Sequence, residues 1–131
     1  MSTTQPIRSK QLLHDFKEYY LTKQSNSRNY TLILIGLNTA LRINDILHLT
    51  WGDVYCTEHS RFYTHLLITE KKTEKETRIL INRELQETLL SYRKTQPSIA
   101  DTDYLFPSPR KTSSPLSRYQ AYRIVRKAAE A

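Results

Sequence analysis

The stretch "LNTALRINDILHLTWGDV", residues 37–54, decides how this chain is read. An apolar run climbs to a single arginine, Arg42, and a carboxylate, Asp45, follows three residues later. The apolar pattern then resumes as far as Trp51. A guanidinium keeps its charge in a protein, so placing it in apolar surroundings requires partners. Two readings follow. Arg42 and Asp45 form a helix-junction ion pair, or Arg42 presents a fork of donors to an anion from a rigid frame. The breaks in periodicity favour a junction. The helix over about 28–40 carries Tyr30, Ile33, Leu34, Leu37 and Leu41 on one stripe, with Leu32 and Ile35 off it, so it is central. A short helix then starts, with Asn44 as its N-cap and Asp45 in its first turn, and runs to about Thr50.

Outward from this stretch the pattern extends both ways. Residues 1–8 read as a loose tail. Ser9 caps a helix over "KQLLHDFKEYYLTK", whose Leu12, Leu13, Phe16, Tyr19 and Tyr20 share a face. Ser27 caps the central helix. After Trp51 the residues become β-branched and aromatic. "RFYTHLLITE" (61–70) and "TRILIN" (77–82) read as strands, "KKTEKE" as the turn between them, and "GDVYC" (52–56) as a third strand. Residues 83–95 form an amphipathic helix. Residues 96–115 hold four prolines and are loop. Residues 116–131 close as a helix capped by Ser117. The expected fold class is α+β: one mostly helical domain with a small antiparallel sheet of about three strands.

Composition narrows the function. The 131 residues carry a formal charge of +7 and a pI near 9.6. That balance favours polyanionic partners, nucleic acid before acidic membrane surfaces. Two glycines leave no phosphate-cradling loop, so a nucleotide cofactor is not expected. One cysteine, Cys56, excludes an internal disulfide and a cysteine-based zinc site. The longest apolar run, at 32–37, is too short to span a bilayer, and no signal-peptide pattern is present, so the expected location is cytoplasmic.

"TALRINDILHLTWGDV" resembles the first box of the tyrosine recombinases, the phage-type integrases, which reads T-G-L-R-I-S-E-L-x-x-L-x-W-x-D-I. Arg42, Asp45, Leu49, Trp51 and Asp53 fall on the matching positions. Ala40 replaces a glycine and Asn44 a serine. "KKTEKETRILI" resembles the family's β-hairpin, with Lys72 the best match to its catalytic lysine and Lys71 and Lys75 as rivals. "DYLFPSPRKTSSPLSRYQAYRIVRKAAEA" is similar to the family's "LF" segment and the helix after it. The resemblance covers residues 7–131.

That resemblance implies DNA strand cleavage and rejoining through a 3′-phosphotyrosine link, without a metal or other cofactor. Arg42 would bind the scissile phosphate, Asp45 would support the site, and Lys72 would protonate the leaving oxygen. Lys71, Lys75, Arg78 and Arg118 would contact DNA, and recombination would imply self-association on duplex DNA. The departures are as informative. No histidine is followed by arginine at the His-x-x-Arg spacing, and none of the nine tyrosines matches the nucleophile's context. Residues 9–131 are therefore expected to be the amino-terminal part of the catalytic domain and inactive alone. The alternative is a non-catalytic basic DNA-binding module, a decayed integrase relic. An RNA-binding protein is a third reading, since scattered tyrosines offer stacking surfaces.

Overall fold

The computed structural model describes residues 10–69, 73–96 and 99–130. The chain begins with α1 (Lys10–Glu18), which widens into a π-turn at Tyr19–Lys23, where the Gln24 N–H reaches back to the Tyr19 carbonyl at 3.0 Å. The proposed cap at Ser9 and the tail at 1–8 lie outside the described residues. Phe16 and Tyr19 are half-buried and Tyr20 is buried, as their spacing predicts, but Leu12 and Leu13 stay exposed because this first turn extends beyond the core.

Helix α2 (Ser27–Thr39) follows. Its N-cap is Asn26 and not Ser27: the Asn26 side chain accepts the Asn29 N–H at 3.0 Å. All residues from Asn29 to Ile35 are buried, so the helix is central, as its apolar circumference requires. It packs against α1 on one side and, further along the chain, against the helix α5 (Arg83–Lys94). Its last turn emerges from the core, leaving Leu37 43% exposed. A short α3 (Ile43–Leu47) and a single turn α4 (Trp51–Val54) come next. The reading of Asn44 as N-cap is corrected: Arg42 occupies that position in extended backbone, and Asn44 lies inside the helix, its carbonyl bonded to His48 Nδ1 at 2.8 Å.

The sheet is antiparallel, as expected, but it is divided. Strand β1 (Tyr55–Cys56) pairs with β2 (Arg61–Phe62), while β3 (His65–Thr69) pairs with β4 (Glu76–Leu80). The segment at 52–56 is therefore not a third strand beside the main hairpin. After Cys56 the chain turns back at once, and β1 is too short to reach further. A break at Tyr63–Thr64 then separates the ladders, with Tyr63 N–H on the Val54 carbonyl and Ile81 N–H on the Thr64 carbonyl, both at 2.9 Å. Leu66, Ile68, Thr77 and Ile79 face inward along the β3–β4 hairpin. His65, Leu67, Arg78 and Leu80 line its outer face.

Helix α5 is capped by Asn82, whose Oδ1 accepts the Leu85 N–H at 2.9 Å. The proline-rich segment has no helix or strand among its described residues, yet its Leu105 and Phe106 are fully buried. Helix α6 (Arg118–Glu130) closes the chain with Ser117 as its cap: the Ser117 hydroxyl accepts the Gln120 N–H at 3.1 Å. No helix among the described residues is long and apolar enough to cross a membrane.

Candidate nucleic-acid interface

Arg42 stands between two helices because α2 must stop before it. Ala40 ends α2 in the left-handed conformation, φ 55° and ψ 20°, a position that favours glycine. Two residues later the Arg42 carbonyl accepts the N–H groups of Asp45 and Ile46 at 3.0 and 3.1 Å, which starts α3. This backbone holds Arg42 rigidly while leaving its side chain in solvent. The guanidinium is exposed and has no hydrogen-bond or ion-pair partner among the described residues. The Arg42–Asp45 ion pair weighed from the sequence is absent. Asp45 is half-buried in the first turn of α3, where its charge suits the helix dipole.

The rest of the box is structural. The Asp53 carboxylate accepts the backbone N–H and the hydroxyl of Thr50, at 2.9 and 3.1 Å, closing a capping box on α4. Trp51 is buried against the Tyr92 ring, with centroids 5.5 Å apart, and the Arg93 guanidinium lies 5.6 Å above it. Trp51 and Gly52 donate to the carbonyls of Asp103 and Asp101, both at 2.9 Å, and the Leu105 N–H returns to the Leu49 carbonyl at 3.0 Å. A Cβ at Gly52 would meet the Asp101 carbonyl oxygen at 3.0 Å, so a side chain here would have to push that backbone aside. Box and "LF" segment, distant in sequence, are thus stitched by backbone.

Sequence reading missed a relay between the hairpin and the arginine's helix. Asn82 Nδ2 donates to Asn38 Oδ1 at 2.8 Å, and Asn38 Nδ2 donates to the Leu34 carbonyl at 2.9 Å. Asn82 follows β4 by two residues and Asn38 precedes Arg42 by four, so the relay ties the hairpin's exit to the last turn of α2. Two asparagines in unrelated segments carry no pairing signal in sequence.

The hairpin tip falls partly outside the described residues. Lys71 and Lys72 lie there. Lys75 is exposed beside Glu74, which has a left-handed φ of 55°. Arg78 is exposed on the outer face of β4, opposite Leu67, and helps line a shallow hollow of about 430 Å³ with Tyr63, Thr64 and His65. Arg118 opens α6 on the surface, and α6 packs against α3, the element that follows Arg42. The outward face of α6 combines Arg118, Tyr119, Tyr122, Arg123 and Arg126.

The buried tyrosines are occupied by packing. Tyr20 donates its hydroxyl to the Ile124 carbonyl at 2.7 Å, and Tyr92 donates to the Leu105 carbonyl. Burial pushes the Tyr30 and Tyr92 phenols up to about 12, the wrong direction for a nucleophile at neutral pH. Among the described residues no group of three or more His, Cys, Asp or Glu gathers to hold a metal ion.

Known proteins resemble this chain over its whole described length. The phage integrase family matches residues 4–131. The "Probable integrase/recombinase YoeC" of Bacillus subtilis (strain 168) is 44% identical over 131 residues, spanning 100% of this chain and 66% of that protein. The XerA recombinase crystal structure superposes with a TM-score of 0.76 at 21% identity, over 99% of this chain and 44% of that one. The lambda integrase catalytic core gives 0.62 at 16% identity, over 93% and 67%. The structural likenesses establish the fold, and the sequence match establishes kinship over just under two thirds of the relative's length. This chain belongs to the phage integrase family.

Proposed function

We propose that this chain supplies the phosphate-gripping half of a site for DNA strand cleavage and rejoining through a 3′-phosphotyrosine link. The observation that carries this reading is Arg42: held by backbone at a helix junction, exposed, and without a partner among the described residues. Five donors in a fixed fork match the non-bridging oxygens of a phosphodiester, whose charge grows as a fifth oxygen approaches phosphorus. Asp45 supports the junction through the dipole of α3. A lysine of the β3–β4 turn, Lys72 by resemblance with Lys71 and Lys75 as rivals, protonates the leaving 5′-oxygen. Lys75, Arg78 and Arg118, with the basic, tyrosine-bearing face of α6, hold the duplex. Assembly on DNA follows from the need for paired strand exchanges. Solved structures of the same fold include the lambda integrase (residues 75–356) bound to DNA and as a dimer bound to a core site.

The test has two parts. Arg42→Ala should weaken duplex binding by about tenfold to a hundredfold, the worth of a charged hydrogen-bonding contact, with thermal stability unchanged. Equal affinity in wild type and variant would overturn a phosphate role for Arg42. Strand transfer is read with a nicked suicide duplex and the whole protein: a denaturant-resistant protein–DNA adduct, abolished by Arg42→Ala, is expected. The non-catalytic DNA-binding module is the second reading, favoured by the basic charge and the exposed cations alone. Duplex binding without any adduct would select it.

A further inference from the structure

We infer that the chain carries a second phosphoryl-binding site, at the opposite end of α2 from Arg42. A hollow of about 460 Å³ opens between the start of α2 and the flank of α6 that carries Ile124 and Lys127, at the edge of that helix's exposed basic face. Arg28, Arg123 and Lys127 line it, and no carboxylate does. None of the three has an ion-pair partner among the described residues. Arg28 spends its Nε on Asn29 Oδ1, at 2.9 Å, and keeps its terminal nitrogens free. Arg123 meets only the Tyr119 ring, 5.8 Å from its centroid. Three like charges gathered without a counter-charge repel one another, and an anion between them relieves that.

A second, independent observation points the same way. Asn29, also in the lining, is only 7% exposed. Its backbone N–H goes to Asn26 Oδ1 and its own Oδ1 to Arg28, which leaves Nδ2 without an acceptor among the described residues. A buried amide N–H₂ left unmatched is costly, and an oxyanion in the hollow supplies what it lacks. The N-terminal dipole of the thirteen-residue α2 adds to the same field.

With three cations and a buried amide N–H₂ but no carboxylate, the lining favours an anion rich in acceptors, and a phosphoryl group fits that description. The hollow is open to solvent and larger than one oxyanion, so it admits a phosphoryl group carried on a larger molecule. Two sources share this chemistry: a backbone phosphate of duplex DNA, or a free phosphorylated molecule. At 1.5 Å per residue, α2 sets the hollow on the order of 20 Å from Arg42, too far to share one phosphate but within about six base-pair steps on one duplex.

Sodium tripolyphosphate is the probe, titrated calorimetrically at fixed ionic strength into the 131-residue chain. Saturable binding is expected, weakened at least tenfold in Arg28→Gln and in Lys127→Gln, and unchanged in Lys94→Gln, an exposed cation outside both sites. Lys127 is exposed, so that variant keeps the fold if Arg28→Gln does not. Absence of saturable binding, or equal binding in all variants, would overturn the site. Loss in Arg42→Gln alone would move the anion to the first site and end this inference while leaving the proposed function intact. A short duplex that competes with tripolyphosphate, and binds less well to Lys127→Gln, identifies the DNA backbone as source. A duplex that leaves tripolyphosphate binding untouched identifies a free phosphorylated ligand.

Discussion

Ala40 holds a left-handed backbone two residues before the exposed arginine. Its Cβ crowds the following carbonyl there, at a cost of about 1 kcal/mol that glycine escapes. Ala40→Gly should therefore raise stability by about 0.5–1 kcal/mol, read as a higher denaturant midpoint at unchanged slope. Tyr92 offers a second measurement at this scale. Its phenol is raised to about 12 by burial, so folding favours the protonated form. The resulting stability is fully present below pH 10 and is lost as pH rises from 10 through 12. Tyr92 alone should contribute a fall of roughly 2–3 kcal/mol across that window, at 1.36 kcal/mol per unit. Tyr92→Phe leaves the buried Leu105 carbonyl without its donor, costing about 1–3 kcal/mol at pH 7, and should flatten the alkaline decline.

At the scale of elements, the junction between hairpin and α2 is set by two amides. Asn82 both caps α5 and donates to Asn38, whereas Asn38 serves only the relay and its own helix. Three variants separate these roles by chemical denaturation. Asn82→Ala loses cap and relay and should cost about 2–3 kcal/mol. Asn82→Asp keeps the acceptor for Leu85 N–H but loses the donor to Asn38, and Asn38→Ala loses the relay alone; each should cost about 1 kcal/mol. Equal losses in all three would show that the cap contributes nothing beyond the relay.

For the whole molecule, the net charge of +7 is spread over separated exposed cations: Arg42 at the helix junction, Lys75 and Arg78 on the hairpin, and Arg118 and Arg126 on α6. Each cation that neutralises a DNA phosphate adds about 0.9 to the salt slope of log affinity. Gln substitutions at Lys75, Arg78 and Arg118 should each flatten that slope by about one, uniformly across DNA sequences. A slope unmoved by all three would place the duplex on another face. The core beneath these cations is continuous, with Leu34, Leu89, Leu105, Phe106 and Ala121 wholly buried, so surface substitutions should leave folding intact.

Period and local chemistry made much of this legible in sequence: the central α2, the amphipathic α5 and α6 and the Ser117 cap follow from neighbours within four residues of one another, and the antiparallel hairpin from two β-rich runs joined by a short turn. The first box was legible too, because its spacing is a local pattern. Pairings across long sequence distance were not. The split of the sheet, the Asn38–Asn82 relay, the stitching of residues 49–52 to 101–105 and the hollow that gathers Arg28 with Lys127 depend on which segments meet, and no local pattern encodes that. Even Arg42 illustrates the division. Sequence placed a charge at a junction, but only the packed chain decided that it faces solvent instead of Asp45, because backbone carbonyl bonds, not an ion pair, fix the turn.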